Sequence, residues 1–578
     1  MVNSPRQISR GLAVAVLIAL ATAVTSHLIG RGRDMSHALT DGFKLSYCVA
    51  AALAAAAAVA TFVLMRKTGR EGRHVTRGVR IAVASAAVAV CFVGTDFSLG
   101  LLQGSPIGAY TTRGADTFVS APTLHPPIVR ADVSTPGWLQ QGYVFTADFY
   151  NPSIPGSMVG QSGPLILDHR LSPVWFQPVS ENVLAANLSL QTYEGRPVLA
   201  WWQGVINRNA LTTQGEYVVV DQHYRPVARL RGADGWVLAL HDFVIRGDDA
   251  WVTANKNVRL NLSRYGGAGN GMLLDSAVQE YNLKTGKLLR SWDALDHVPL
   301  SESMVPVPTD GSLWDAYHLN SIDLPGDGTF VISMRSTWAA YKVDIATGRI
   351  EWTLGGKQSS FRFGSGAEFQ WQHDVMVYRG TPLVTVFDDH CCEITSADKL
   401  VATGPSRGLV LKLDSTRHTA SLVDQYTRGA TVDSEFMGSI EPLPGGNEFV
   451  GWGSLGPFAE YTATGRTLLD AVMPGSDVTY RATVEPWVGL PLYPPSGAAR
   501  QQEGRTIVYA SWNGATQVAS WRVLAGSSSS ALKPVTAAPR SGFETAIALP
   551  RSYEAFRVQA LNRAGDVIGS SKPFTIAG

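Results

Sequence analysis

Between about residues 110 and 490 the sequence repeats one local pattern, in which a strand-like run ends in a polar turn and a second strand-like run follows. The clearest copies are YNLKTGKLLRSW at 281–292, VDIATGRIEWTL at 343–354 and EYTATGRTLLD at 460–470, and weaker copies are centred near residues 170, 223 and 416. The six turns lie about 50 to 70 residues apart, which suits four-stranded blades with loops of variable length. Gly, Pro, Asp and Asn repeatedly interrupt the β-branched and aromatic runs, which disfavours helices. The sequence therefore predicts an all-β fold built around a six-bladed β-propeller.

A second repeated element precedes several of these turns and consists of a polar entry, an apolar strand, a Gly/Asp turn and another apolar strand. Its copies lie at 240–255, 317–336, 372–389 and 437–453. Three of the four copies have a histidine at the entry, namely His241, His318 and His373. Equivalent positions in successive blades of a propeller face one central channel, so we expect these three side chains to lie close together.

Two further polar residues accompany the histidines: Asn320 follows His318 closely, and Arg335 lies at the end of the next strand. Without clustered carboxylates the set is a poor site for a hard metal ion, although three histidines can hold zinc. A fixed arginine instead favours a tetrahedral oxyanion, because its planar fork matches two oxygens at once. Sulfuryl and phosphoryl groups both fit, and a neutral imidazole can attack either. The pattern predicts an anion-binding or catalytic site without a metal, whereas any one strand-end histidine alone would more often be structural.

The first hundred residues differ in composition from the rest. Segments 11–30, 46–65 and 81–102 are almost uncharged, and about 20 residues of helix span a hydrocarbon core of about 30 Å. The loop at 66–80 carries six Lys or Arg and one Glu, so the positive-inside rule places it in the cytoplasm. The sequence therefore predicts a membrane anchor at 1–105 with three transmembrane helices, and an extracytoplasmic remainder.

The charge balance of the whole chain excludes one class of partner. The 578 residues include 48 Lys or Arg and 47 Asp or Glu, so no strongly basic surface for nucleic acid is expected. Glycine-rich phosphate loops, paired CxxC motifs and HExxH are absent from the sequence, and we expect no cofactor. Four cysteines are too few for a disulfide scaffold. Outside the cell the adjacent pair Cys391 and Cys392 can close a small disulfide ring, and the sequence leaves open whether it does.

The remainder of the chain divides into two parts. Residues 106–495 contain the propeller repeats, and 496–578 show alternating strands with a buried tryptophan expected early in the segment. This length and pattern suit a β-sandwich of the fibronectin type III or immunoglobulin-like kind. For the sandwich we expect a role in spacing or in binding a partner in the cell envelope.

Over roughly 140–490 the chain resembles the bacterial arylsulfate sulfotransferases, in the branch found in actinobacteria and fungi. The resemblance rests on YHLNSIDLPGDGTFVISMRST, IEWTLGGKQSSFRF, WQHDVMV, FDD, SRGLVLKLD, GSIEPLPGGNEFVGWG and TYRATVEPW. It implies a six-bladed propeller that moves a sulfuryl group from a phenolic sulfate ester to another phenol, through a sulfohistidine and without a nucleotide sulfate donor. Carried over motif by motif, it makes His373 the nucleophile and assigns the sulfuryl oxygens to His241, His318, Asn320 and Arg335.

The sequence also departs from that family. Its better-known members are periplasmic, with a cleaved signal and an amino-terminal β domain, whereas this chain has three predicted spans. FDDHCC stands where FDN is expected, which leaves any contact made there open. Two functions remain: a membrane-anchored extracytoplasmic sulfuryl-transfer enzyme, and a non-catalytic envelope propeller that binds a glycan or a protein.

Overall fold

The computed structural model describes residues 110–150, 158–180, 183–206, 213–391, 393–394, 400–401, 404–429 and 433–576. The three predicted transmembrane segments lie outside these residues. Within the described part of the chain, no helix is both long and apolar enough to cross a membrane. Among these described residues helices are limited to single turns, and the all-β expectation is confirmed for this part of the chain. The short helices are Pro136–Trp138, Ser263–Tyr265, Ala294–His297, Leu300–Glu302, Arg335–Thr337 and Gly453–Leu455.

Three sheets are formed by the first half of the repeat region. Sheet 1 contains Tyr143–Tyr150, Gly163–Leu167 and Pro173–Phe176, with Asp477–Thr479 and Thr483–Glu485 from much later in the chain along its first edge. Sheet 2 contains Leu184–Tyr193, Arg196–Ile206, Thr213–Val220 and Pro226–Leu230. Sheet 3 contains Val237–Arg246, Asp249–Leu260, Gly271–Asn282 and Lys287–Asp293, and Leu313–Trp314 pairs with its third strand.

Three more sheets follow in chain order. Sheet 4 contains Leu319–Asp323, Thr329–Met334, Ala339–Asp344 and Ile350–Gly355. Sheet 5 contains His373–Val377, Leu383–Asp388, Arg407–Asp414 and Thr419–Tyr426, with Arg362–Phe363 at its outer edge. Sheet 6 contains Ser439–Pro442, Glu448–Gly451, Phe458–Tyr461 and Thr467–Val472, with Arg130–Ser134 at its outer edge. A small ribbon pairs Glu393–Ile394 with Leu400–Val401.

The six sheets are arranged around a common centre. In sheets 2 to 6 the first strand is the inner one, and these inner strands pack against each other in sequence. Each of the six turns expected from the sequence joins the third and fourth consecutive strands of a different sheet, or in sheet 1 the last two. The late segment around residues 477–485 supplies the inner strand of sheet 1 and also contacts sheet 6, which closes the ring.

Apolar side chains fill the spaces between neighbouring sheets. One core cluster joins Trp202 and Tyr217 of sheet 2 to Phe243 of sheet 3 and to Tyr480 of the closing strand. Another cluster lies between sheets 3 and 4 and includes Trp251. Because burial of aromatic side chains is strongly favourable, these clusters fix the spacing of the inner strands.

The end of the chain forms two further sheets. One contains Ser496–Gln502, Arg505–Ser511 and Glu544–Ala548, and the other contains Ser520–Gly526, Lys533–Pro539, Ala555–Leu561, Val567–Ser570 and Phe574–Thr575. Alternate residues of both sheets enclose a shared apolar core around Trp521, which is 1% exposed. This is the packing expected of a two-sheet sandwich.

Candidate active site

The structure brings the three histidines of the repeat together at the centre of the ring. His241 lies in the inner strand of sheet 3, His318 directly precedes that of sheet 4, and His373 begins that of sheet 5. The ring centroids of His241 and His318 are 5.0 Å apart, and those of His318 and His373 are 6.2 Å apart. Tyr480 from the closing strand completes the cluster, with its ring 5.6 Å from His241 and 6.4 Å from His373.

Irregular backbone at the entry of each inner strand points these side chains at the centre. The pairing register shifts within the inner hairpins of sheets 3, 4 and 5 close to each histidine. His318 and Asp374 have φ values of 52° and 53°, in the left-handed region that non-glycine residues seldom adopt. Bulges and left-handed residues redirect side chains and are common beside functional sites.

Both ring nitrogens of His373 take part in hydrogen bonds. Its side chain is 1% exposed, and Nδ1 lies 2.6 Å from Oδ2 of Asp389, which is fully buried. The backbone N–H of Met437 donates to Nε2 over 3.3 Å. A backbone N–H can only donate, so Nε2 bears the lone pair, Nδ1 bears the hydrogen, and the Asp389 carboxylate accepts it. Nε2 is therefore the nucleophilic atom, and Asp389 orients the ring.

His318 has a carboxylate partner of the same kind. Its Nδ1 lies 2.5 Å from Oδ2 of Asp315, and both side chains are mostly buried. Asp315 belongs to the long connection between sheets 3 and 4, not to a strand. A carboxylate at Nδ1 stabilises a proton on the imidazole and leaves Nε2 free to give or take one.

Arg335 supplies positive charge beside the histidines. It opens the turn that follows the second strand of sheet 4, and its guanidinium stacks on the Trp371 ring 4.6 Å from the centroid. Its Nη2 donates to the Glu435 carbonyl oxygen over 2.8 Å. Stacking and this hydrogen bond fix the plane of the guanidinium.

Four buried nitrogen atoms near the site have no hydrogen-bond partner among the described residues: Nδ1 of His241, Nε of Arg335, Nε1 of Trp338 and Nε of Arg481. Trp338 contacts Trp371 edge to face with centroids 5.5 Å apart. The arginine and tryptophan atoms are N–H donors, and a buried donor without an acceptor costs free energy. Several unsatisfied nitrogens beside a fixed cation suit the oxygens of an anionic ligand.

Burial and neighbouring positive charge keep the imidazoles neutral. Burial lowers the pKa of His373 well below 6.5, and the charge of Arg335 and the neighbouring His318 and His241 lower it further. Burial likewise lowers the pKa of His241, with added contributions from His318, Arg481 and Arg335. Burial raises the pKa of Asp389, while the Arg335 charge opposes that rise. At neutral pH both imidazoles are therefore uncharged.

Asn320 occupies a different kind of position from the other predicted residues. It is fully buried, and its Nδ2 donates to the Gln372 carbonyl oxygen over 2.8 Å. Its backbone carbonyl oxygen accepts a hydrogen bond from the Tyr480 hydroxyl over 3.0 Å. These contacts join sheet 4 to Gln372, the residue before His373, and to Tyr480. Asn320 therefore supports the positions of the site residues.

The sequence analysis left four site residues unassigned: Asp315, Asp389, Tyr480 and Arg481. Asp389 lies in the FDD motif and the last two lie in TYRATVEPW, so the motifs marked these segments without indicating a role. Asp315 lies outside every quoted motif, and no periodicity pointed to it.

The described residues also bear on metal binding and on disulfide formation. Within the described ranges, no group of three or more His, Cys, Asp or Glu is arranged to hold a metal ion. Cys391 is fully buried against Trp371 and is disulfide-bonded, and Cys392 lies outside the described residues.

The described part of the chain is all-β, and several of its sheets converge on a buried histidine–arginine site suited to an anion. The family model of the arylsulfotransferases (ASST) matches residues 189–473. This part of the chain, which contains all five predicted site residues, belongs to the arylsulfotransferase family.

No curated protein matches the chain. Among solved structures, a protein of unknown function from Bacteroides caccae is 12% identical, with 60% of this chain and 99% of that chain covered and a TM-score of 0.35. The Dos1 propeller is 10% identical, with 64% and 74% covered and a TM-score of 0.28. Hydrazine synthase from Kuenenia stuttgartiensis is 11% identical, with 53% and 72% covered and a TM-score of 0.27. Similarity at this level indicates nothing further about the chain.

Proposed function

We propose that the protein transfers a sulfuryl group from a phenolic sulfate ester to another phenol, with His373 as the covalent carrier and without a nucleotide sulfate donor. The observation that carries the proposal is the state of His373. Its Nδ1 donates to Asp389 over 2.6 Å, and its Nε2 bears a lone pair at the centre of a cationic, unsatisfied site.

In the first step the Met437 N–H gives up its hydrogen bond to Nε2, and the lone pair of Nε2 attacks the sulfur atom of the donor. The N–S bond forms as the S–O(aryl) bond breaks, and the bonding electrons leave on the phenolate oxygen. The ring keeps its Nδ1 hydrogen and becomes positively charged. Asp389 faces that charge and stabilises it, as a carboxylate does for an imidazolium.

Arg335 and His241 would hold the sulfuryl oxygens. These atoms carry negative charge throughout, and fixed donors that meet them in the transition state lower the barrier. The unpartnered nitrogens of Arg335, Trp338 and His241 are available for these contacts. Asn320 supports the same site through the backbone before His373, and does not need to touch the substrate.

His318 is the proposed acid and base. When protonated, it gives its proton to the departing phenolate, and Asp315 at 2.5 Å stabilises the charged ring beforehand. In the second step a phenol loses its hydroxyl proton to His318 while its oxygen forms a bond to sulfur. The N–S bond breaks, its electrons return to Nε2, and His373 and His318 recover their initial states.

We also propose the larger architecture that this function would use. Residues 106–495 would form one six-bladed propeller, 1–105 a three-helix membrane anchor, and 496–578 a fibronectin III or immunoglobulin-like sandwich. The basic loop at 66–80 supports an extracytoplasmic location for the propeller. A non-catalytic propeller that only binds a glycan or a protein would not need two buried histidine–carboxylate pairs.

The test uses purified full-length protein in detergent with 4-nitrophenyl sulfate as donor. We expect release of nitrophenol that depends on added phenol, together with phenyl sulfate in equal amount. His373→Ala should abolish both, and mass spectrometry of an alkaline-quenched reaction should find the sulfuryl adduct on His373. Phenol-dependent turnover by His373→Ala, or an adduct on another residue, would contradict the assignment.

A further inference from the structure

The inner strand of sheet 1 contains an extra residue at the centre of the ring. Phe145 pairs with Thr483 and Asp148 pairs with Thr479. Two residues of one strand therefore face three of the other, 480–482, which is the definition of a bulge. The Thr479 hydroxyl donates to the Arg481 carbonyl oxygen over 2.7 Å and supports the bulged backbone.

The bulge directs the Arg481 side chain towards sheets 3, 4 and 5. Its guanidinium contacts both carboxylate oxygens of Asp242 in sheet 3 at 3.2 Å, and Oδ1 of Asp374 in sheet 5 at 3.2 Å. It also donates to the Asn320 carbonyl oxygen of sheet 4 over 3.4 Å. The side chain is 11% exposed. One cation from the closing strand thus occupies the space enclosed by three inner strands.

This ion-pair group lies immediately behind the nucleophile. Asp242 follows His241 in the chain, and Asp374 follows His373. The same two carboxylates accept backbone N–H groups of the next sheets, Ile322 over 2.9 Å and Ile440 over 3.1 Å. Tyr480 is fully buried against His241 and His373. Tyr480 therefore packs directly against two of the histidines, and the next residue, Arg481, is held by carboxylates adjacent in sequence to those same histidines.

We propose that Tyr480 and Arg481 form a floor that prevents water in the channel from reaching the sulfuryl group on His373, and so determine that the enzyme transfers sulfuryl to phenols and does not hydrolyse its donor. This inference rests on the proposed function and names the residues that set its acceptor specificity. Arg481 is not a reacting group, because both terminal nitrogens of its guanidinium are engaged by Asp242, Asp374 and Asn320.

Hydrolysis of the intermediate, the competing reaction, forms and breaks the same kinds of bond as the transfer. A water oxygen forms the new bond to sulfur, the N–S bond breaks, and the electrons of that bond return to Nε2 of His373. The water loses one proton to a base, and inorganic sulfate is released. Because water is present at far higher concentration than any phenol, its exclusion from the intermediate favours the phenol.

The test measures the two products of one reaction. The full-length protein is supplied with 4-nitrophenyl sulfate and a fixed concentration of phenol, and phenyl sulfate and inorganic sulfate are quantified together. In Arg481→Gln we expect the ratio of inorganic sulfate to phenyl sulfate to rise by about tenfold or more. Arg466→Gln serves as the matched control, since Arg466 stacks on the exposed Trp138 away from the site and should leave the ratio at the wild-type value.

A second variant avoids misfolding caused by unpaired buried carboxylates. Arg481→Gln leaves two buried carboxylates without their cation, so Asp242→Asn and Asp374→Asn are combined with Arg481→Met to remove the whole charged group. A raised product ratio in either variant supports the floor. An unchanged ratio in folded protein, with only total turnover or the melting temperature reduced, makes Arg481 a purely structural ion pair and overturns the inference. If the wild type shows no phenol-dependent release at all, the proposed function fails, and the inference fails with it.

Discussion

At the scale of single residues, the chemistry of the site depends on which nitrogen of His373 carries the hydrogen. Asp389 decides this, because it accepts from Nδ1 over 2.6 Å inside a fully buried environment. The family resemblance led us to expect asparagine at this position. The side-chain oxygen of asparagine can also accept an N–H, so the tautomer is compatible with either residue, whereas only aspartate supplies a negative charge.

The prediction for Asp389 follows from that difference. Asp389→Ala leaves Nδ1 without an acceptor and should lower kcat by up to about 10⁴-fold, on the scale seen when the carboxylate partner of a catalytic imidazole is lost. Asp389→Asn keeps an acceptor and should lose less. Steady-state kinetics with 4-nitrophenyl sulfate, corrected for folded protein, compares the two. Equal rates for Asp389→Ala and wild type would show that the carboxylate does not orient the ring.

The pH profile tests the charge of Arg335. Burial and Arg335 hold the pKa of His373 well below 6.5, so the acid limb of turnover, where His373 becomes protonated, should lie below pH 6.5. Arg335→Gln removes a positive charge, so the pKa of His373 should rise and the acid limb should move to higher pH. Arg335→Lys keeps the charge but loses the planar fork. It should therefore lower kcat by about 10²-fold without moving the limb.

Stability provides a control for these variants. If Arg335 serves only in an ion pair between sheets, Arg335→Lys should lower Tm and leave turnover per folded molecule close to wild type. Thermal unfolding and kcat measured on the same preparation separate the two outcomes. An acid limb that stays in place in Arg335→Gln would show that Arg335 does not act on His373.

At the scale of strands and sheets, the inner strands are joined by carboxylates that accept N–H groups from the next sheet. Asp323 of sheet 4 shows this without a catalytic role, since its Oδ2 accepts the Val377 N–H of sheet 5 over 2.9 Å. Its side chain is mostly buried. Such bonds fix the phase of neighbouring inner strands, and thereby the relative positions of the histidines that those strands carry.

Asp323→Ala should therefore lower stability more than it lowers turnover. Loss of a charged acceptor leaves a buried N–H unsatisfied, which costs about 1–3 kcal/mol. We expect a lower Tm and an unchanged KM, with turnover per folded molecule within a few-fold of wild type. Denaturant unfolding and steady-state kinetics check both parts. A large loss of kcat with unchanged Tm would place Asp323 in the chemistry instead.

The elements also show how much of this site can be predicted from sequence. Turn residues such as those at 284–286 and 346–348 are local signals, because Gly and Asn adopt turn conformations at little cost. The phase of His241, His318 and His373 in the repeat was likewise sufficient to bring them together. The partners Asp315 and Arg481 could not be predicted, because one lies in a connection and the other depends on a one-residue bulge that only the paired strand reveals.

At the scale of the whole molecule, the membrane anchor remains a proposal that a fusion experiment decides. The six basic residues at 66–80 predict that everything after about residue 105 lies outside the cytoplasm. Alkaline phosphatase fused after residue 110 should be active, because it folds in an oxidising compartment. A reporter that functions only in the cytoplasm should be inactive at the same position, and the opposite pair of results would reverse the topology.

Several hydrogen bonds join the carboxy-terminal segment to the ring. The Asn513 side chain accepts from the Phe176 N–H over 2.9 Å and donates to the Phe176 carbonyl oxygen over 2.8 Å, so that it continues the outer edge of sheet 1. The Tyr224 hydroxyl of sheet 2 donates to the Gly514 carbonyl oxygen over 2.8 Å. Glu544 accepts the backbone N–H of Val119 over 3.1 Å, from the segment that precedes sheet 1.

Removal of 496–578 should therefore destabilise the ring as well as remove a binding surface. The truncated chain would expose Tyr224, whose ring stacks on buried Trp175 with centroids 4.8 Å apart, and would leave the edge of sheet 1 unpaired. We expect a Tm lower by several degrees and increased aggregation, with the ratio of phenyl sulfate to inorganic sulfate unchanged in the molecules that remain folded. Asn513→Ala should show a smaller shift in the same direction, because it breaks only the bonds to Phe176. A truncated chain with wild-type Tm and solubility would instead show that the sandwich folds and acts apart from the ring, as the spacer expected from the sequence would.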